Sequence, residues 1–183
     1  WRILSILRCV DTNDTRSVGS GGWGSRDHRR LQDVVGDAAM NWPITKLDKI
    51  ADAIDYGHTA PSTTRQVGPK YLRITDIQEN RVDWETVPFC ECSPAEQGRY
   101  ALSRDDIVFA RTGATTGKSF LIRECPDRAV FASYLIRVRP SNAVDPGYLA
   151  HFFDTPFYWQ QITKNATGST QPGVNSTKLK ELD

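Results

Sequence analysis

The stretch DIVFARTGATTGKSFLIR, residues 106–123, places a glycine-rich loop between two runs of β-forming residues. It looks like a phosphate-binding loop, but such a loop needs four residues between its glycines and a helix after its lysine. Here Gly113 and Gly117 enclose only three residues, and the sequence SFLIR after Lys118 is typical of a strand. The stretch therefore predicts a β-hairpin, and we expect no ATPase or GTPase activity.

The remaining sequence contains no residue pattern typical of an enzyme. Three histidines lie in unrelated contexts, and no G-x-S-x-G, H-E-x-x-H or dinucleotide-binding motif occurs. Asp105 and Asp106 are adjacent and would point to opposite faces of a strand, so we interpret them as a turn that enters a strand. Cys90 and Cys92 form a C-x-C pair without the second pair that completes a zinc site. We therefore expect reduced thiols and no catalytic residue, cofactor or metal.

The composition predicts one folded domain with an uneven distribution of charge. Of 183 residues, 39% are hydrophobic, and no apolar run approaches the ~20 residues of a membrane-spanning helix, so we expect a cytoplasmic protein. Residues 57–73 contain three bases and no acid, residues 74–107 eight acids and three bases, and residues 108–139 six bases and two acids. The basic segments indicate either a phosphate-bearing partner or ordinary solvated surfaces.

The periodicity of the chain predicts an α+β fold with a mostly antiparallel, strongly curved sheet that is flanked by helices. Residues 1–41 are rich in Gly, Ser, Arg and Asp, and we interpret them as a leader that is poorly ordered or an artefact of cloning. After this leader we expect a helix over 44–54 with Thr45 as its N-cap. Strands are expected over residues 70–77, 81–89, 118–123 and 129–140, and residues 100–111 are interpreted as a lead-in followed by a strand.

The last part of the chain changes to a helical period. Asp145 and Pro146 predict the start of a helix, which Pro156 should kink or split. A turn-rich loop follows, and residues 177–183 begin a last helix whose Leu179 and Leu182 start an apolar stripe that favours self-association. We assign the large aromatic side chains to the core or its edge, namely Trp84, Phe89, Phe109, Phe120, Phe131, Phe152, Phe153, Phe157 and Trp159.

At this point the sequence resembles a known family. From about Trp42 to Leu182 it is similar to a target recognition domain of a type I restriction–modification DNA specificity subunit. The matching segments are WPITKLDKIADAIDYGHT (42–59), KYLRITDI (70–77), YALSRDDIVFARTGATTGKSFLI (100–122), AVFASYLIRVRP (129–140), DPGYLAHFFDTPFYWQQI (145–162) and ATGSTQPGVNSTKLKEL (166–182). Gly168, Thr170, Gln171 and Asn175 occupy the places of the family's closing pattern.

The resemblance implies a recognition domain over 42–176 and the start of a truncated spacer helix over 177–183. It also implies a non-catalytic protein that binds double-stranded DNA. In that family separate modification subunits methylate adenine, and a separate restriction subunit cuts using ATP. A complete member has two recognition domains, whereas this chain has one. The alternatives are the recognition domain of a fused restriction–methylation enzyme, or a helix-mediated protein-interaction module without DNA binding.

Candidate DNA contacts are polar and basic side chains of the predicted loops and strand ends. Hydroxyls and amides can bind phosphate oxygens, and Arg111 can reach a base edge with two hydrogen bonds. The candidates are Thr63, Thr64, Arg65, Lys70, Arg73, Arg111, Thr115, Thr116, Lys118, Ser133, Tyr134, Lys164, Ser169 and Gln171.

Overall fold

The structure is a computed structural model, and it describes residues 43–164 and 173–183. The strands are β1 (Ala51–Tyr56), β2 (Ser62–Thr63), β3 (Lys70–Leu72), β4 (Ile77–Gln78), β5 (Arg81–Val82), β6 (Phe89–Cys90), β7 (Ile107–Ala110), β8 (Ser119–Leu121), β9 (Ala129–Phe131) and β10 (Leu135–Pro140). The helices are α1 (Pro94–Tyr100), α2 (Pro146–Phe152), α3 (Pro156–Lys164) and α4 (Ser176–Lys180), with short 3₁₀ turns at Leu47–Lys49 and Ile74–Asp76. The predicted leader, 1–41, lies outside the described residues.

The main sheet is antiparallel and has the strand order β1-β10-β7-β8. Its side chains alternate between two apolar clusters, as the two-residue period of a strand requires. Ile107 and Phe109 pack on one face against α2, α3 and α4, whereas Val108 packs on the other face with Leu72 and Phe131. Both faces of β7 are therefore buried, which explains its uninterrupted apolar sequence.

Two smaller sheets complete the fold. The second sheet has the order β2-β6-β3-β9, in which β3 and β9 are parallel, and β4 and β5 form a separate hairpin. The α+β class is confirmed, and the strand pairs are mostly antiparallel. The described strands lie in three separate sheets, and the strand expected over 70–77 stops at Leu72. There the Asp76 carboxylate accepts the backbone N–H of Arg73 at 2.8 Å and closes a 3₁₀ turn.

The prediction of a helix over 44–54 is wrong. Only Leu47–Lys49 forms a 3₁₀ turn, which starts after Lys46 rather than Thr45, and Ala51–Tyr56 is strand β1. Ile54 lies opposite Val138 in the ladder with β10. A helix of this length is marginal by itself, so pairing with a strand from the far end of the chain outweighs the local helical spacing.

Three other local features differ from the prediction. The strand expected over 81–89 is interrupted by a turn, and the strand over 129–140 is split at Ser133. Helix α1 was not predicted, although its capping box is visible in the sequence: the Ser93 hydroxyl accepts the Glu96 N–H at 3.3 Å, and the Glu96 carboxylate accepts the Ser93 N–H at 2.9 Å.

The expected helix signals at the end of the chain are confirmed. The Asp145 carboxylate caps α2 by accepting the Tyr148 N–H at 2.8 Å, and Pro156 begins α3 after a break. None of the described helices has the length and apolar character needed to cross a membrane. Leu179 and Leu182 do not form an unpaired apolar stripe, because both are buried with Leu47 in the helical core.

Most of the aromatic assignments agree with the structure. Phe109, Phe131 and Phe153 are fully buried, and the others, apart from Phe157, are partly buried. Phe157 is 53% exposed and its ring contacts Phe152, so it lies at the edge of the core. Its neighbour Tyr158 is buried instead, and its hydroxyl donates to the Gly117 carbonyl at 2.5 Å. The first turn of α3 therefore supports the glycine-rich hairpin.

Candidate nucleic-acid interface

One end of the main sheet gathers residues from three separate segments. Because neighbouring strands run antiparallel, the last residues of β1 and β7 lie beside the first residues of β10 and β8. The Arg111 N–H donates to the Tyr134 carbonyl at 3.0 Å, and the Gly117 N–H donates to the Ala110 carbonyl at 2.9 Å. We call this surface the loop end and define it as Tyr56, residues 111–118 and residues 133–134.

The turn of the loop end is held by its own hydrogen bonds. The Thr116 hydroxyl donates to the Gly113 carbonyl at 2.7 Å, and the Lys118 N–H donates to the Thr115 carbonyl at 2.9 Å. Gly117 has a φ of 87°, and a Cβ there would lie 3.1 Å from the Trp159 ring. A glycine is therefore needed both for the backbone conformation and for close packing on α3.

The two cations of this turn are exposed and uncompensated. Among the residues that the structure describes, neither Arg111 nor Lys118 forms an ion pair or a side-chain hydrogen bond. The Arg111 guanidinium lies 4.9 Å from the centre of the Tyr56 ring, a stacking contact that orients it and leaves its N–H groups available. Tyr134 beside them is 63% exposed. Such a surface can donate hydrogen bonds to an anionic ligand.

The loop end is also joined to the start of α4. The Tyr56 hydroxyl accepts the Ser176 N–H at 3.0 Å, and the Arg111 carbonyl accepts the Val174 N–H at 3.1 Å. Asn175 caps α4 by accepting the Lys178 N–H at 2.8 Å. Sequence analysis missed Tyr56, because its place beside Arg111 depends on the pairing of β1 with β10.

The candidates of the second sheet fall into two groups. Thr64 and Arg65 are exposed and Thr63 is half-buried. Arg73 pairs with Asp76, with 2.7 Å between its Nη2 and Oδ1, and this hydrogen-bonded carboxylate raises the pKa of the guanidinium. The Lys70 ammonium donates to the carbonyls of Glu85 and Val87 at 3.1 and 2.9 Å. Both cations are therefore occupied within the fold, and their contacts to DNA stay predictions.

The last three candidates lie at or beyond the end of α3. Lys164 ends α3, and Ser169 and Gln171 lie outside the described residues.

Two adjoining cavities of about 430 and 550 Å³ lie beside the hairpin. Arg81 and Arg123 line the first cavity, Thr115 and Lys118 line the second, and Asn80 lines both. Sequence analysis did not select Arg81, Asn80 or Arg123, although Arg123 belongs to the basic segment 108–139. Asp154 lines both cavities, with Glu124 in the first and Glu79 in the second, so the groove carries charges of both signs and does not extend the basic character of the loop end.

The opposite end of the main sheet shows how Asp105 and Asp106 are used. Asp105 occupies a turn with a φ of 70°, and Asp106, which is 1% exposed, is bound by Arg139 with both N–O distances at 2.8 Å. The interpretation of this pair as a turn that enters a strand is confirmed.

No protein-family model matches the chain. A putative type I restriction enzyme MjaX specificity subunit from Methanocaldococcus jannaschii is 26% identical over 155 residues, which is 81% of this chain. The type I restriction enzyme EcoKI specificity subunit from Escherichia coli K12 is 28% identical over 139 residues, or 73% of this chain. The protein resembles type I specificity subunits. The matched region spans 36% and 30% of these two specificity subunits, about a third of their length.

Solved structures show the same fold. A chain from a structure of a type I restriction–modification system aligns with a TM-score of 0.56 and 13% identity, over 85% of this chain and 42% of that one. The HsdS subunit of Thermoanaerobacter tengcongensis aligns with a TM-score of 0.53 and 12% identity, over 85% of this chain and 41% of that one. The resemblance and the fold predicted from the sequence are confirmed.

Proposed function

We propose that this chain is a DNA-recognition module of a type I restriction–modification specificity subunit. It binds double-stranded DNA, carries out no chemistry itself and directs separate methyltransferase and restriction subunits to the target site. The observation that carries the proposal is the loop end, where exposed, uncompensated cations stand on a hydrogen-bonded turn. Specificity-subunit relatives that match most of the chain support it.

The chemistry of the loop end suits sequence recognition. A guanidinium can form two hydrogen bonds to a guanine edge, whereas an ammonium acts as a point charge toward phosphate. We therefore propose that Arg111 contacts a base and that Lys118 contacts the backbone. We propose that the hydroxyls of the other loop-end candidates add contacts to the same duplex, namely Thr115, Thr116, Ser133 and Tyr134.

The remaining expectations follow from this function. Because chromosomal DNA is the proposed ligand, we place the protein in the cytoplasm. Methyltransferase and restriction subunits are its proposed partners, and it needs no cofactor to bind DNA. Self-association through the helical end stays a prediction, although it cannot use Leu179 and Leu182, which are buried.

The test is a filter-binding selection on duplex DNA with a random central region, repeated over a series of salt concentrations. We expect bound duplexes to share a sequence, and the logarithm of affinity to fall linearly with the logarithm of salt concentration. Absence of binding at low salt would instead support a protein-interaction module. Binding without any shared sequence would contradict a recognition role.

A further inference from the structure

A histidine, a cysteine and a glutamate from three segments meet beside the second sheet. His58 follows β1, Cys92 follows β6, and Glu96 lies in the first turn of α1. One ligand atom from each, an imidazole nitrogen, the thiol sulfur and a carboxylate oxygen, lie within 4.8 Å of one another. The sequence shows only the C-x-C pair, because the other two groups are brought to it by the fold.

The backbone holds His58 firmly in this position. Its N–H donates to the Phe131 carbonyl at 2.8 Å, and its carbonyl accepts the Ser133 N–H at 2.9 Å and the Tyr71 hydroxyl at 2.9 Å. The preceding residue, Gly57, lies so close to the neighbouring chain that a Cβ would be 2.3 Å from the Ala132 carbonyl oxygen. His58 is therefore a fixed point of the cluster.

The imidazole of His58 is nearly buried without a hydrogen bond. The residue is 9% exposed, and its ring packs 5.2 Å from the Tyr100 ring and 6.5 Å from the Tyr71 ring. Neither ring nitrogen donates or accepts a hydrogen bond among the described residues. Among the described residues, Arg137 Nε is the one fully enclosed side-chain nitrogen or oxygen without a hydrogen bond, so the His58 ring nitrogens keep contact with solvent and are open to a ligand.

The carboxylate of Glu96 is oriented toward the cluster by the helix cap. Its Oε2 accepts the Ser93 N–H at 2.9 Å and the Ser93 hydroxyl at 2.6 Å, and its Oε1 accepts no hydrogen bond from the described residues. A ligand that is held in this way by a neighbouring hydrogen bond is typical of metal sites. Cys92 is half-buried, so its thiol can be reached from solvent.

We propose that His58, Cys92 and Glu96 bind a Zn²⁺ ion, with water completing a tetrahedral site. Thiolate, imidazole and carboxylate together are a donor set that zinc accepts, whereas magnesium and calcium prefer oxygen alone. Zinc bonds of about 2.0–2.3 Å place ligand atoms roughly 3.3–3.8 Å apart, so these groups need to approach by about 1 Å. Rotation of the Cys92 side chain would supply this movement while the Ser93 cap keeps the Glu96 carboxylate in place.

The ion would connect the segment after β1, the segment after β6 and the first turn of α1. The strands of the second sheet that hold this region are short. β2 and β6 each contain two residues, and the segment between His58 and β3 includes Thr63, Thr64 and Arg65. Zinc would fix the start of this segment to the residue after β6 and to α1. It would thereby order a loop that carries polar and basic side chains.

The test uses the full chain, reduced and freed of metal by a chelator. We expect one Zn²⁺ per chain in competition with a chromophoric chelator, with no competition from Mg²⁺. Cys92→Ser and Glu96→Gln should each weaken Zn²⁺ binding at least roughly 10–100-fold. Glu96→Gln keeps an acceptor for the helix cap, so loss of binding there is not explained by unfolding.

Cys125→Ser and Cys9→Ser are the matched controls, and both should bind Zn²⁺ like the wild type. Co²⁺ gives a second measurement, since thiolate-to-cobalt absorption should vanish in Cys92→Ser and persist in Cys125→Ser. The proposal is overturned if the wild type binds no Zn²⁺, or if Cys92→Ser binds Zn²⁺ and Co²⁺ unchanged.

Discussion

The two ends of the main sheet use cationic side chains in opposite ways. At the end that contains Asp106, the carboxylate is 1% exposed, binds Arg139 through two hydrogen bonds of 2.8 Å and raises the pKa of that guanidinium. Two residues before Arg139, in the middle of β10, buried Arg137 pairs with Asp55, with 2.8 Å between Nη2 and Oδ2. At the loop end, the charges of Arg111 and Lys118 meet no acid among the described residues.

The difference separates charges that build the fold from charges that are open to a partner. A buried ion pair is tied to folding, because removing one member leaves an uncompensated charge in a region of low dielectric constant. Exposed cations contribute little to stability. Arg111 and Lys118 therefore add little to the stability of the sheet, in agreement with the proposed contact to a phosphate-bearing ligand.

The largest effect is expected from Asp106→Asn, which removes the carboxylate of the Asp106–Arg139 ion pair. Asp106 is buried and also accepts the Ser103 N–H, so loss of its carboxylate leaves buried polar groups imperfectly paired, whereas Arg139 itself is partly exposed. The free energy of unfolding should fall by about 1–3 kcal/mol. Urea unfolding followed by circular dichroism measures this change. Asp105→Asn, which alters the exposed neighbour, is the control and should change stability by less than about 0.5 kcal/mol. Equal stability of the two variants would remove the contrast between the ends.

Arg111→Ala should weaken binding to the selected DNA by about 1–3 kcal/mol and relax the sequence preference at one position. Its matched control is Arg104→Ala, which removes an exposed arginine from the turn at the opposite end of the sheet. Fluorescence anisotropy with specific and scrambled duplexes measures both variants. If Arg104→Ala has the larger effect, the DNA-binding end has been assigned wrongly.

Gly117→Ala should disturb the loop end without changing its charge. A left-handed backbone conformation costs an alanine roughly 1–2 kcal/mol, and the new methyl group would press on Trp159. We expect lower stability and weaker DNA binding. Gly98→Ala in α1 is the control, because nothing lies within 4 Å of its Cβ position, and helix propensity should make that variant more stable. Stability and DNA affinity equal to those of the wild type in Gly117→Ala would show that DNA binding does not require this turn to be rigid.

Lys118→Ala should have the smallest effect on sequence preference. Loss of one phosphate contact weakens binding to all sequences alike and reduces the salt slope by about 1. Lys49→Ala removes an exposed lysine from the 3₁₀ turn that precedes β1, whose last residue, Tyr56, belongs to the loop end, and should leave the slope unchanged. A loss of preference in Lys118→Ala would mean that its ammonium contacts a base instead.

The sequence predicts features that depend on neighbouring residues and misses those that depend on strand pairing. The β7–β8 hairpin, the Asp145 cap and the break at Pro156 follow from local chemistry, and all are present. The helix expected over 44–54 fails because β10, about eighty residues later in the sequence, pairs with it as a strand.

The candidate site follows the same division. Arg111 and Lys118 share one loop, so the sequence places them together, but their neighbour Tyr56 is found only through the register of β1. Lys70 and Arg73 are basic residues in or beside a predicted strand, as Arg111 and Lys118 are, so the sequence does not distinguish the two pairs. The donors of Arg73 and Lys70 are nevertheless engaged by Asp76 and by backbone carbonyls, which only the folded structure reveals.

Amide hydrogen exchange with and without a DNA duplex at low salt tests most directly which end of the sheet meets DNA. We predict slower exchange in residues 111–118 and 133–135 when DNA is bound, and unchanged exchange in residues 103–106 and 139–143. Protection confined to the Asp106 end, or no protection at saturating DNA, would contradict the assignment of the loop end as the DNA-binding surface.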